Sequence, residues 1–123
     1  MKPAVPSDEA VPPGRNFIAK GAMHVAVAKA EDPISVTFVL LPKFTMLAFS
    51  SAIEPLRMAN QLTNQVLFRW EVLSEDGKPV PCSNGVPVVV DGPFASAKPE
   101  GMVLVCSGVE PEGKASVALG DWL

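Results

Sequence analysis

Ile34-Ser-Val-Thr-Phe-Val-Leu-Leu41, then Pro42-Lys43-Phe44, then Thr45-Met-Leu-Ala-Phe-Ser-Ser-Ala-Ile-Glu-Pro-Leu-Arg-Met-Ala-Asn60 is the stretch that decides the fold. Its first part is a nearly continuous run of β-branched and apolar residues, the pattern of a parallel strand covered on both faces. Pro42-Lys43 breaks that run. Thr45 suits a helix N-cap, and Met46, Leu47, Phe49, Ile53, Leu56, Ala59 and Leu62 recur at helical spacing.

Working outward, a second strand is expected from about Phe68 to Leu73, ending in the turn-forming Glu75-Asp-Gly-Lys78. Val80–Ser83 and Val86–Val90 flank Asn84-Gly85, a strong hairpin signal. Met102-Val-Leu-Val-Cys106 reads as another buried strand before a Ser107-Gly108 turn, and Ala115 to Leu123 begins a helix. Strand, helix, strand, hairpin excursion, strand and helix imply right-handed crossovers, hence an α/β unit on a parallel sheet. Ligands gather at the carboxyl ends of such strands, here Pro42-Lys43-Phe44, Ser74-Glu75 and Ser107-Gly108-Val109.

The two parts of the chain differ. Residues 1–33 hold five of the 13 prolines and no sustained periodicity, as a flexible leader would, with a transient helix around Ala19–Lys29. Residues 34–123 carry the domain. No apolar run approaches the roughly 20 residues that cross a bilayer, and no secretory signal is visible. Net charge is −3 with scattered basic residues, which argues against a nucleic-acid-binding face in this chain. Cys82 and Cys106 are expected to be free thiols.

Chemical candidates are few. The single histidine, His24, lies in the leader, so the domain has no Ser-His-Asp or Cys-His set and no ligand set for zinc. Neither GxGxxG nor GxxxxGK[ST] occurs. Cys106 ends a strand near a glycine turn, where backbone N–H groups would favour a thiolate; a small buried hydrophobe is the simpler reading. Glu54-Pro55 is unusual, because proline within a helix frees the Ser51 carbonyl at a cost of about 3 kcal/mol. The expectation is a bent helix whose Ser50 or Ser51 hydroxyl satisfies the freed groups, with Glu54 or Arg57 facing a ligand or a dimer partner.

The string from Phe38 to Asn60, with Phe68-Arg-Trp-Glu-Val-Leu-Ser-Glu-Asp-Gly77, Ser83-Asn-Gly85 and Val105-Cys-Ser-Gly-Val109, resembles the N-terminal domain of GlxA-type regulators of the AraC family. The likeness runs over residues 35–123; residues 1–33 match nothing nameable. It implies a three-layer, flavodoxin-like ThiJ/PfpI fold, related to class I glutamine amidotransferase domains and here incomplete at the C-terminus. It also implies a cytoplasmic homodimer that senses an amine- or amino-acid-derived effector, reaching DNA only through a C-terminal helix-turn-helix region absent from this chain. Enzymatic relatives place an acid early in the first helix and a cysteine at a later elbow. The matching position here is Ala48, and the elbow would lie beyond Leu123. A non-catalytic sensor without cofactor follows; the strand ends and the Glu54-Pro55 helix, read from the residues themselves, offer Phe44, Thr45, Glu54, Arg57, Ser107 and Gly108 as its ligand-binding positions. The alternative is a fragment of a ThiJ/PfpI-type cysteine-dependent hydrolase or glyoxalase-like enzyme.

Overall fold

The computed structural model describes residues 28–29, 32–98, 100–108 and 117–122. Most of the leader, including His24 and the helix expected around Ala19–Lys29, lies outside the described residues. Strand β1 (Ile34–Leu40) is central, as its unbroken apolar run requires. It pairs in parallel with β2 (Phe68–Ser74) on one side and with β6 (Met102–Cys106) on the other. With β5 (Gly92–Pro93) the order is β5-β2-β1-β6, a four-stranded parallel sheet compatible with a flavodoxin-like fold.

Alternation along β1 sorts the core into two clusters. Val36, Phe38 and Leu40 point to the face covered by helix α1 (Met46–Thr63), where they join Phe44, Phe49, Trp70, Val72, Val80, Cys82 and Cys106. Val39 and Leu41 point to the other face and join Leu73 and Phe94. That face is covered by a 3-10 turn (Phe94–Ser96) and by helix α2 (Val117–Trp122), whose Trp122 Nε1 donates to the Ala97 carbonyl at 2.9 Å. Phe38, Val39 and Leu40 have no exposed surface, so both faces of β1 are sealed.

Several local expectations need correcting. Thr45 does sit at the N-cap with extended backbone, but its side chain makes no capping bond. Helix α1 runs through Pro55, and the Ser50 hydroxyl donates to the Leu47 carbonyl at 3.1 Å, not to that of Ser51. Leu47, placed by periodicity on the apolar stripe, points outward and is 74% exposed. Asn60 takes the inward position instead, fully buried.

β5 was not apparent from the sequence, since Gly-Pro has little strand propensity. Asp91 recruits it: its backbone N–H donates to the Val72 carbonyl at 2.7 Å and its carboxylate accepts the Val72 N–H at 2.8 Å. The hairpin forms as Asn84-Gly85 predicts, pairing β3 (Val80–Pro81) with β4 (Pro87–Val88) around Gly85 at φ 88°. Gly108 does more than turn the chain, because it bridges antiparallel to Phe44.

Candidate functional site

The chain leaves β1 through α1 toward β2 on one side, while β6 lies on the other. Their carboxyl ends therefore flank the topological switch point, where open α/β sheets hold ligands. The β1–α1 turn fills it. Leu41 N–H donates to the Cys106 carbonyl at 3.0 Å, and Phe44 N–H closes the turn on the Leu41 carbonyl at 3.0 Å. Lys43, between them, adopts φ 63°, a left-handed conformation uncommon for a side chain of its kind.

Two other elements clamp this turn. From the hairpin, the Pro81 carbonyl accepts Lys43 N–H at 2.9 Å and Ser83 N–H donates to the Phe44 carbonyl at 2.8 Å. From β6, the Ser107 carbonyl accepts Thr45 N–H at 3.1 Å. A Cβ at Gly108 would collide with the Lys43 carbonyl oxygen, so only glycine allows the turn and the β6 end to approach so closely.

Four of the six positions expected from the sequence thus come together: Phe44, Thr45, Ser107 and Gly108. Phe44 is completely buried, its ring edge-on to Phe49 at 5.8 Å, so it belongs to the core and offers a ligand no side-chain surface. Ser107 is exposed and Thr45 half-buried, so two hydroxyl-bearing residues flank the turn. Glu54 and Arg57 lie elsewhere, about 12 Å and about 16 Å further along the α1 axis from Met46 at about 1.5 Å per residue. There Arg57 grips Glu54 at 2.7 to 3.1 Å and donates to the Gln61 side-chain oxygen at 2.6 Å. Those bonds from Arg57 hold the Glu54 carboxyl below the usual carboxylate range.

Sequence reasoning missed that the hairpin residues Pro81 and Ser83 hold the β1–α1 turn. Ser83-Asn-Gly85 signals a turn, and nothing local says where the turn docks. Reactive chemistry is sparse. Cys106 is buried, and desolvation pushes its thiol above the ordinary range, away from a thiolate nucleophile. Among the described residues, no group of three or more His, Cys, Asp or Glu is placed to hold a metal ion. The first turn of α1 carries no acidic residue to serve as a base. The arrangement suits hydrogen bonding to a small molecule. No helix among the described residues is long and apolar enough to cross a membrane.

A parallel α/β unit with hydroxyls and backbone groups at its switch point has the makings of a binding domain. The chain is 45% identical over 78 residues to the HTH-type transcriptional regulator GbdR of Pseudomonas aeruginosa, covering 63% of this chain and 21% of that protein. It is 45% identical over 86 residues to CdhR of the same species, covering 70% and 25%, and 33% identical over 76 residues to GlxA of Rhizobium meliloti, covering 62% and 24%. Among solved structures, it resembles the crystal structure of an AraC family transcriptional regulator from Pseudomonas putida, with a TM-score of 0.56 and 33% identity over 63% of this chain and 42% of that one. No protein-family model matches. The chain is thus similar to transcription regulators of the AraC family, GlxA among them, and spans about a quarter of the length of the curated relatives it matches.

Proposed function

We propose that this chain is the small-molecule-sensing, non-catalytic part of a GlxA-type, AraC-family transcription regulator. On this reading it has a ThiJ/PfpI-like fold, works as a homodimer in the cytoplasm, and acts on DNA through a helix-turn-helix region outside this chain. The observation that carries the proposal is the 45% identity to two HTH-type regulators. The switch point supports it chemically: it offers the Thr45 and Ser107 hydroxyls and a turn held by two neighbouring elements, while the Cys106 thiol is buried and burial raises its pKa.

The effector is amine- or amino-acid-derived and is held by hydrogen bonds at the mouth formed by Thr45, Ser107 and the hairpin. A thermal-shift screen of the chain against amino acids, betaines and polyamines tests this. The expected result is a saturable rise in melting temperature with one class, reduced by Thr45→Val or Ser107→Ala and unchanged by Cys106→Ala relative to each variant's own baseline. A flat response across all three classes overturns the sensor reading. Turnover of a substrate that is lost with Cys106→Ala would favour the cysteine-dependent enzyme instead.

A further inference from the structure

We propose that Asn84-Gly85, at the tip of the β3–β4 hairpin, is a site of spontaneous deamidation that the folded turn holds in check, with the buried Cys82 thiol as the latch on the reacting amide. The reaction belongs to the hairpin and needs no effector.

Of the four asparagines, Asn16, Asn60, Asn64 and Asn84, only Asn84 precedes glycine. Deamidation begins at the backbone nitrogen of the following residue, which loses its proton and attacks the side-chain carbonyl carbon. A new C–N bond closes a succinimide ring, the old one breaks, and ammonia leaves with the proton. One water then opens the ring at either carbonyl, giving aspartate or isoaspartate at position 84, and nothing is oxidised or reduced. Glycine has no Cβ to obstruct that ring. A Cβ built at Gly85 would meet nothing within 4 Å, and Ser83, Asn84 and Gly85 are all exposed. The tip therefore has both the room and the water that the reaction uses.

The turn opposes each motion that ring closure requires. The Asn84 side-chain oxygen accepts the Cys82 thiol and, at 2.9 Å, the Val86 N–H, which holds the carboxamide in place. The Gly85 N–H donates to the Cys82 carbonyl at 2.9 Å, so the attacking nitrogen is engaged within the turn. Cys82 is 2% exposed and pairs with Phe44 through a backbone bridge, so the latch is anchored in the core. The same tip grips the β1–α1 turn, because Ser83 N–H donates to the Phe44 carbonyl at 2.8 Å. Isoaspartate routes the chain through the former side chain and adds a methylene to the backbone. The Cys82–Gly85 turn then no longer closes as before, and the Ser83 grip loosens with it.

Incubation at neutral pH, with deamidation at Asn84 followed by peptide mass spectrometry and isoaspartate by enzymatic methylation, tests the latch. The folded chain should react about tenfold or more slowly than the chain in guanidinium chloride, the factor that lost hydrogen bonds of ordinary net strength supply. Cys82→Ala should speed the folded chain about threefold to tenfold on the same basis, and Cys82→Ser, which keeps a donor, should restore most of the protection. Cys106→Ala is the control: it trims the same core cluster without touching Asn84, so it should leave the rate near that of the original chain. The isoaspartate form, separated by its added charge, should exchange the Ser83 amide faster than the fresh chain. Equal rates folded and unfolded overturn the proposal, as does a Cys82→Ala rate no higher than that of Cys106→Ala. A Ser83 amide that exchanges no faster in the isoaspartate form overturns the link to the β1–α1 turn.

Discussion

Asn60 is a polar residue in a fully buried place, and every polar atom of its carboxamide is used. The amide donates to the Phe68 carbonyl at 3.0 Å; the oxygen accepts Leu67 N–H at 2.8 Å and Phe68 N–H at 3.0 Å. Its own carbonyl accepts Gln65 N–H at 3.2 Å, beside the left-handed Asn64 that ends α1. One side chain thus ties the end of the helix to the first residue of β2. Asn60→Ala strands two N–H groups and a carbonyl at about 1–3 kcal/mol each, so a loss of about 3 kcal/mol or more in urea unfolding is expected. Asn60→Asp should be nearly as harmful, because it removes the donor and buries a charge. A loss under about 1 kcal/mol for either would mean that water satisfies the groups. Apolar periodicity cannot flag such a position: Ala59 and Leu62 look like the stripe, and Asn60 sits between them. Cys106 gives a second test at this scale. Burial raises its thiol pKa, so the stability it contributes is complete below the ordinary thiol range and is lost as pH rises through the folded value. Denaturation midpoints of the native chain should therefore fall at alkaline pH more steeply than those of Cys106→Ala, and a thiol reagent should label Cys106 only as the chain unfolds.

At the scale of elements, β1, α1, β2 and β6 were legible because each is long and has one dominant period. What joins them was not. The β6 strand meets β1 at both ends through glycines that have no periodic signature. Gly101 has φ 69° and lies so near the Ser35 carbonyl that a Cβ would strike it, and Gly108 lies as close to the Lys43 carbonyl. Gly108→Ala must push the Lys43 turn or the β6 end aside, and overpacking of this kind costs about 1–3 kcal/mol. Because the same turn holds the hairpin through Pro81 and Ser83, the strain should spread there. Amide exchange should quicken at Ser83 and Lys43 as well as at Thr45, with little change in the β2 amides around Val72. Exchange confined to Thr45 would show that hairpin and strand end are held independently. The clustering of Phe44, Thr45, Ser107 and Gly108 follows from where strands end, whereas the docking of the hairpin on the turn depends on a tertiary contact between residues about 40 positions apart.

For the whole molecule, the two edges of the sheet are treated differently. β5 is two residues long and ends in Pro93, which offers no N–H to a further strand. β6 is five residues long, contains neither charge nor proline, and leaves Met102 56% and Val105 42% exposed. Among the described residues it is an open edge, the geometry that recruits other strands. The chain should therefore associate progressively on warming, limited by β6. Val105→Lys places a charge on that edge and should delay light scattering during mild heating, while leaving the melting transition of the monomer within about 1 kcal/mol of its original stability. Scattering that rises on an unchanged time course in Val105→Lys would show that association starts on another surface.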